Sequence, residues 1–272
     1  MKEKKDWRSR FGFHTTPFTR EIAVRDRYRS EVFDEPLHAL ARVMSERMSA
    51  AIIAPSGTGK TALLRTLIEE HLPEARYRVQ YVKVANLSKR DMCREIAVAA
   101  GVAPAGTYPS LVRNLQDRYL TLSDTDGLRL VLILDDAHDL RPEVLGVLRV
   151  LTNFEMDSRL VLSVILAGQP PLTDLLRRGA LEDVAKRLSH YATLRLLSRT
   201  ETQGYIEHRA TIAGAKTVPF DAKSFDAIYE IGRGNLRATD NLALKSLEIA
   251  HDQNADTVDH NHVVGARKVL WP

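Results

Sequence analysis

A glycine-rich octet constrains the fold of this chain more than any other feature of its sequence. Residues 54–61 read Ala-Pro-Ser-Gly-Thr-Gly-Lys-Thr and follow a short apolar stretch, residues 50–53. Glycines at this spacing let backbone N–H groups turn inward on a phosphate, the lysine supplies a point charge, and the threonine hydroxyl can ligate magnesium. Alanine stands where the pattern usually has its first glycine. The octet predicts a phosphate-binding loop between a strand and a helix.

Downstream of the octet, predicted strands alternate with predicted helices. Residues 77–84 have the composition and alternation of a strand, residues 128–134 and 160–166 are aliphatic runs typical of buried parallel strands, and residues 192–197 are a further candidate. Segments with helical spacing separate these strands, among them residues 142–154. The alternation predicts an α/β fold, a three-layer αβα domain whose parallel sheet has right-handed crossovers.

The last part of the chain has only helical patterns. Ser198 and Glu201 fit a capping box that begins the first of these helices. We therefore predict an αβα nucleotide-binding domain over residues 49–198 and a small helical lid domain over residues 199–272. Residues 1–48 are interpreted as a basic arm that docks through its aromatic side chains, followed by a helix that leads to the first strand.

The composition narrows the class of protein. The 39 basic and 35 acidic side chains leave a net charge of +4, a slight preference for a polyanionic partner. A single cysteine, Cys93, can form no internal disulfide, which suits a reducing compartment. The charged N-terminus is not followed by a signal-type apolar stretch, and no apolar run approaches the roughly 20 residues of a membrane helix. We expect a cytoplasmic protein with no membrane segment.

Two carboxylates follow the aliphatic run at residues 128–134. Asp135 is predicted at the carboxyl end of a strand, where it can hold magnesium through water while Thr61 ligates it directly. Asp136 is the candidate for the catalytic base that polarises the attacking water. Together with the octet, the pair predicts an ATPase that takes ATP and Mg²⁺. The predicted nucleotide contacts are Pro55, Ser56, Gly57, Thr58, Gly59, Lys60, Thr61 and Ala62, with Lys60 also a catalytic residue.

Further polar side chains are candidates for sensing or completing the site. Gln169 follows the strand at residues 160–166, where a polar group can sense the γ-phosphate. Arg187 lies before the last predicted strand, where an arginine can project towards the ATP of a neighbouring subunit. Arg237 opens a helix of the lid and can fold back over the phosphates. The alternatives to Arg187 in its role are Arg177 and Arg178.

These residues resemble the AAA+ ATPases, and within them the group that contains ExeA and the transposition regulators TnsC, TniB, IstB and MuB. The similarity covers nearly the whole chain. Besides the octet, it includes these stretches: Phe11-Gly12-Phe13 with Pro17-Phe18, Asp135-Asp136-Ala137-His138, Ala167-Gly168-Gln169-Pro170, Tyr205-Ile206-Glu207-His208-Arg209, and residues 234–237. In P-loop ATPases of the additional-strand class the residue after the first aspartate is usually glutamate. The shorter Asp136 therefore predicts slow hydrolysis, or ATP that is bound but never turned over.

The resemblance implies an ATP-dependent homo-oligomer, a ring or helical filament, that assembles on double-stranded DNA and recruits a transposase to the target site. Backbone contacts to DNA would come from Lys89, Arg90 and Arg113, with strong salt dependence and weak sequence preference. The alternatives are a secretion-associated ATPase like ExeA and a replication initiator or helicase loader. Secretion relatives normally continue into a membrane segment and a wall-binding region, and this chain ends at Pro272 without them, which favours the DNA hypothesis.

Overall fold

The computed structural model of the chain describes residues 6–84 and 86–271. These residues form two compact units. The sheet unit comprises residues Phe33–Ser56 and Lys60–Leu194. The helical unit comprises the described residues up to Val32, the short segment Gly57–Gly59, and the described residues from Arg195 onward. In the described part of the chain, no helix combines the length and the apolar character needed to cross a bilayer.

A five-stranded, all-parallel sheet forms the centre of the sheet unit. Its order is β2-β3-β4-β1-β5, so β4 lies between β1 and β3. The aliphatic strands β1, β3 and β4 occupy the middle of the sheet and are buried, as their unbroken apolar runs require. The strands are β1 Ser49–Ile53, β2 Tyr77–Lys83, β3 Arg129–Asp135, β4 Leu162–Gly168 and β5 Leu188–Thr193.

Helices surround this sheet and share one apolar core with it. The first helix after β1 is α-helical to Thr66 and continues as a π-helical turn, Leu67–His71. Cys93 is buried in this core, and burial raises the pKa of its thiol to about 11. The helices up to β5 are α1 Trp7–Arg10, α2 Glu31–Ser45, α3 Lys60–Thr66, α4 Lys89–Ala100, α5 Tyr108–Asp124, α6 Pro142–Leu145, α7 Val147–Leu151, α8 Pro171–Leu176 and α9 Glu182–Ala185.

The mixed α/β fold with a parallel sheet, predicted from the alternation of patterns, is confirmed. Two local predictions are wrong. The sequence predicts the last strand at residues 192–197, but β5 is Leu188–Thr193. An edge strand buries only some of its side chains, and the residues Ser189-His190-Tyr191 do not form the apolar run that identifies a buried strand. The single helix expected over residues 142–154 is two short helices, α6 and α7, separated at Gly146.

The helical unit is built from four helices and the N-terminal arm. Its first helix begins with the expected capping box, since Ser198 accepts from the Glu201 N–H and the Glu201 carboxylate accepts from the Ser198 N–H. The arm contributes buried phenylalanines, Phe11, Phe13 and Phe18, to a core that includes Phe220. The helices are α10 Arg199–Ile212, α11 Ala222–Gly232, α12 Leu236–Asp252 and α13 His260–Leu270.

A buried polar cluster fastens the arm to α10 within this unit. The Arg209 guanidinium donates to the Tyr205 hydroxyl at 2.7 Å and to the Thr19 carbonyl at 2.6 Å. The Tyr205 hydroxyl donates to the Asp240 carboxylate at 2.8 Å. His208 contacts the Asp26 carbonyl at 2.8 Å. The Tyr-Ile-x-His-Arg stretch therefore has a structural role: it holds the backbone of the arm at two points.

Candidate functional site

Three candidate segments meet at one edge of the sheet because of its strand order. The glycine-rich loop follows β1, Asp135 ends β3, and Gln169 follows β4 between them. Parallel strands bring their carboxyl ends to the same edge, which is where open α/β sheets bind ligands. The sheet therefore gathers the polar groups that the sequence predicted to act together.

The glycine-rich loop depends on two glycines with left-handed backbones. The φ angles are +79° at Gly57 and +96° at Gly59, a region that side chains disfavour. A Cβ at position 57 would lie 2.4 Å from Asn235 Oδ1, so the site also lacks room for a side chain. The Gly57 carbonyl accepts from the Arg237 N–H at 3.2 Å. Within the helical unit the loop segment thus lies against the start of α12, beside the residue predicted to contact nucleotide.

Asp135 is buried and held by three neutral donors. Its Oδ2 accepts from the Thr61 hydroxyl at 3.2 Å and from the Tyr81 hydroxyl at 2.8 Å, and its Oδ1 accepts from the Asp136 N–H at 2.9 Å. Burial, and then the hydrogen bond to Asp135, raise the pKa of Tyr81, so the phenol stays a donor. The carboxylate is therefore fixed next to the threonine with which it was predicted to share a metal.

The oxygen atoms of Thr61 and Asp135 fit Mg²⁺, a hard cation that binds oxygen and keeps several waters. They lie within hydrogen-bond distance of each other, so one ion could reach both, directly or through water. Among the described residues, no group of three or more His, Cys, Asp and Glu side chains could hold a metal. The site resembles those in which Mg²⁺ is bound by few protein groups together with substrate phosphates.

Asp136 occupies an unusual backbone position. Its φ is +61°, in the left-handed region, where aspartate and asparagine are enriched because their short polar side chains tolerate it. This gives a physical reason for aspartate where glutamate is usual. Its carboxylate oxygens lie 4.0 Å from Lys60 Nζ and 3.7 Å from Lys83 Nζ. The candidate base is therefore held between two lysines at the end of the sheet.

Gln169 has a partner that the sequence did not indicate. Its Nε2 lies 2.6 Å from His138 Nε2, so the side chains that follow β3 and β4 are joined by a hydrogen bond. The close approach depends on Gly168, where a Cβ would lie 2.7 Å from a Leu172 methyl group and 3.3 Å from the His138 backbone nitrogen. His138, the last residue of the Asp-Asp-Ala-His stretch, thus contacts the predicted sensor.

The arginine predicted to act on a neighbouring subunit is bound within its own chain. Arg187 donates to the Asp157 carboxylate at 2.7 Å, and this pairing lowers the pKa of Asp157. Asp157 lies in the loop between α7 and β4, where Glu155, Met156 and Asp157 all have positive φ angles, 48°, 56° and 65°. The pair borders a polar cavity of about 550 Å³. The two alternatives, Arg177 and Arg178, are exposed on the segment after α8.

The predicted DNA contacts lie on two helices of the sheet unit. Lys89 and Arg90 are exposed at the first turn of α4, and Arg113 is exposed on α5. The Arg90 guanidinium donates twice to the Gly106 carbonyl, at 2.8 and 3.1 Å. Within the described residues Lys89 and Arg113 make no hydrogen bond or ion pair, whereas Arg90 holds the loop before α5.

The organisation of this site agrees with the family comparison. Residues 42–176, from α2 to the end of α8, match the family described as AAA domain. This segment is an AAA domain. The General secretion pathway protein A of Aeromonas hydrophila is 28% identical over 258 residues, which are 93% of this chain and 46% of that protein. The chain thus spans less than half the length of this curated relative.

Solved structures place the AAA domain and the helical unit in the same fold as P-loop AAA+ ATPases. Cdc6p from Pyrobaculum aerophilum superposes with a TM-score of 0.73 at 19% identity, covering 93% of this chain and 70% of that chain. The Aeropyrum pernix ORC1 protein, solved in complex with DNA, superposes with a TM-score of 0.70 at 17% identity, covering 95% and 70%. At these identities the likeness shows the fold.

Sequence reasoning missed several groups that complete the site. Tyr81 and Lys83 come from β2, whose alternating pattern predicts a strand but not which residues meet β3. The parallel register pairs Lys83 with Asp135, and that register is what brings both side chains to the acidic turn. Asn235 was noted only as part of a stretch that opens a helix. Their position is the signal that could have identified Tyr81 and Lys83, because polar residues near the carboxyl ends of neighbouring parallel strands lie close together.

Proposed function

We propose that this protein binds and hydrolyses ATP with Mg²⁺ and that its nucleotide state acts as a switch for an assembly. The observation that carries the proposal is the cluster at the carboxyl edge of the sheet, where Lys60, Thr61, Asp135 and Asp136 converge. An AAA domain over residues 42–176 supports nucleotide binding.

Each side chain has a defined task in this proposal. The backbone N–H groups of residues 56–62 cradle the phosphates, and Lys60 brings its charge to the terminal ones. Thr61 and Asp135 would hold the magnesium ion, which would supply positive charge to the phosphates. Gln169 orients the terminal phosphate or the water, and Arg237, whose N–H donates to the Gly57 carbonyl, contacts the nucleotide.

Asp136 is proposed as the base that polarises the attacking water. The two lysines near its carboxylate hold it at the turn, and Lys60 also links it to the phosphate loop. Asp136→Asn keeps the short side chain that the left-handed backbone tolerates. We expect this variant to bind ATP with unchanged affinity and to hydrolyse it at least about 100-fold more slowly. Unchanged turnover would remove Asp136 from the role.

Arg187 is proposed to complete the site of a neighbouring subunit. Arg187 precedes β5 and pairs with Asp157. In this proposal its guanidinium leaves Asp157 and contacts a phosphate of the ATP that is bound to the adjacent subunit. Activity would then depend on protein concentration, since an isolated subunit lacks the arginine. Mixing Arg187→Ala chains with Lys60→Ala chains would restore activity that neither variant has alone, because some interfaces would then join an intact phosphate loop to an intact arginine. Arg177→Ala and Arg178→Ala are the controls that test the alternative arginines.

For the process that the switch controls, we propose a DNA-transposition regulator that oligomerises on duplex DNA and recruits a transposase. The sequence resemblance supports this proposal, and exposed Lys89 and Arg113 offer phosphate contacts. A protein of the same fold has been solved in complex with DNA. Binding through the backbone makes affinity fall steeply with salt and depend little on sequence. A cytoplasmic location belongs to the same proposal.

The second candidate is a secretion-associated ATPase. The similarity to General secretion pathway protein A over 93% of this chain favours it. Such a protein would work with a membrane-bound assembly and be indifferent to DNA. The replication-initiator alternative shares the DNA-binding expectation and differs from transposition in its partner.

One experiment separates these candidates. Electron microscopy and fluorescence anisotropy are performed with the purified chain, with ATP or a slowly hydrolysed analogue, with and without duplex DNA, at two salt concentrations. Rings or filaments that require both nucleotide and DNA, and that disappear in Lys60→Ala, support the DNA-bound switch. Nucleotide binding with no response to DNA at low salt would shift the proposal to secretion. Addition of a transposase then distinguishes transposition from replication.

A further inference from the structure

His138 is nine-tenths buried beside the acidic turn and has no role in the mechanism described above. Its Nε2 lies 2.6 Å from Gln169 Nε2 and 3.6 Å from an Asp139 carboxylate oxygen. Its Nδ1 is buried with no hydrogen-bond partner among the described residues. A buried polar atom without a partner lowers stability, so an apolar side chain would serve packing better here. The imidazole therefore requires a reason other than packing.

The contact with Gln169 supplies that reason. A primary amide has a donor end and an acceptor end that differ little in shape, and only a hydrogen-bonding neighbour fixes which end faces the ligand. When Nε2 of a neutral imidazole accepts one N–H of Gln169, the second N–H and the carbonyl oxygen of the amide have defined directions. A glutamine expected to donate to a phosphate needs this restriction.

The backbone geometry brings the two side chains together for this purpose. His138 lies in the 3-10 turn Ala137–Asp139, which directly follows Asp136, and Gln169 directly follows β4. Gly168 has no Cβ and so allows the His138 backbone to approach the end of β4. The Asp-Asp-Ala-His stretch after β3 and the Ala-Gly-Gln-Pro stretch at the end of β4 are thus joined by the hydrogen bond between His138 and Gln169.

We propose that His138 is a positioning residue for hydrolysis, which orients the Gln169 amide towards the terminal phosphate or the attacking water. The proposal rests on the proposed ATPase function. His138 itself touches no substrate, and its effect on turnover passes entirely through Gln169. It should therefore change kcat and leave the affinity for ATP unaltered.

A double-mutant cycle tests this pathway. Steady-state kcat, KM and the affinity for a fluorescent ATP analogue are measured for the full chain, His138→Leu, Gln169→Ala and the double variant. We expect His138→Leu to lower kcat about 10-fold, with little change in affinity, and to lower it less than about 2-fold further in the Gln169→Ala background. His138→Gln, whose amide can reach the Nε2 position, should restore most of the activity. His190→Leu, on β5, is the matched control and should leave kcat unchanged.

The outcomes are distinguishable. Equal losses from His138→Leu in both backgrounds, or failure of His138→Gln to restore activity, would overturn the proposal by showing a merely structural role. An unchanged kcat in His138→Leu would do the same. Absence of turnover in the wild-type chain would instead reject the proposed ATPase function. If His138→Leu does not fold, as judged by its melting curve, His138→Asn, whose amide is too short to reach Gln169, takes its place in the cycle.

Discussion

Each unit of the molecule contains an aspartate that accepts a hydrogen bond from a tyrosine; Asp135 is buried and Asp240 is partly buried. In the sheet unit Tyr81 donates to Asp135, and in the helical unit Tyr205 donates to Asp240. Asp240 also lies 3.4 Å from the Arg209 guanidinium, so its charge has a counterion inside the fold. Burial raises the pKa of Asp240 to about 7, and Arg209 opposes this rise.

Among the described residues, the groups that donate hydrogen bonds to Asp135 carry no charge, unlike the arginine beside Asp240. The Asp135 carboxylate accepts from two hydroxyls and a backbone N–H, all neutral, while the nearby lysines pair with Asp136. A carboxylate that accepts only from neutral dipoles can still pair with a cation that arrives with substrate, whereas Asp240 already lies beside an arginine. This difference separates a binding site from a structural anchor, although each aspartate accepts a hydrogen bond from a tyrosine.

Arg209→Leu tests the anchor. The variant leaves Asp240 buried without a counterion and removes the donor to the Thr19 carbonyl, so we expect a loss of about 3–5 kcal/mol in the free energy of unfolding. Urea denaturation measures it. Arg199→Leu, on the same helix, removes exposed ion pairs with Asp226 and Glu230 and should change stability little. Equal effects of the two variants would contradict a closed, buried pair.

Asp135→Asn tests the binding site. We expect turnover to fall about 100- to 1000-fold because the ligand for magnesium is lost. The unfolding midpoint should stay the same or rise, because the variant removes a buried charge that lacks a counterion. Asp174→Asn, on the exposed face of α8, is the control for both measurements. A large loss of stability with preserved turnover would assign Asp135 to structure instead.

The pH dependence of stability gives the Asp240 contribution directly. A carboxyl whose pKa is raised to about 7 in the folded chain, from 3.8, binds its proton more tightly when folded. Its contribution to stability is therefore complete below about pH 4 and is lost as the pH rises to about 7, with a slope of about 1 kcal/mol per pH unit. The urea midpoint of wild type minus that of Asp240→Asn should therefore fall as the pH rises over this range. A value that rises with pH would contradict a raised pKa for Asp240.

Tyr81→Phe removes one neutral donor from Asp135 and should have the smallest effect. We expect turnover to fall about 5-fold, with a higher magnesium requirement, because the carboxylate loses one of its three restraints. Tyr191→Phe on β5 is the matched control, since the two tyrosines are similarly exposed, at 41% and 44%. A magnesium titration of ATPase activity provides the measurement. Identical curves for the two variants would mean that Tyr81 contributes nothing to the site.

The sequence predicts those parts of the fold whose backbone conformation depends on residues that are close together in the sequence. The glycine-rich octet fixes its own backbone, and unbroken aliphatic runs identify β3 and β4 because both faces of these strands are buried. The edge strand β5 was displaced in the prediction because only part of its surface is buried. The left-handed backbone of Asp136 could not be read from its sequence neighbourhood either, since aspartate occurs in many conformations.

The contacts that decide roles come from distant residues. The Tyr205–Arg209 stretch carried a resemblance but no function until the fold placed Thr19 and Asp240 against it. The role of His138 could not be predicted because its partner, Gln169, lies 31 residues further along the chain. Sequence therefore indicated which side chains matter, and the parallel register and helix packing determined which of them touch.

The hydrogen bond from the Arg237 N–H to the Gly57 carbonyl makes one backbone amide a reporter of the loop. The first N–H groups of a helix have no partner inside it, so at this position in α12 only an outside acceptor slows exchange with solvent. The rate of deuterium uptake at the Arg237 amide would therefore report whether the glycine-rich loop keeps this hydrogen bond, without a label or an activity assay. Gly57 lets the loop approach the start of α12, and mass spectrometry or NMR can therefore detect whether the loop remains in that position.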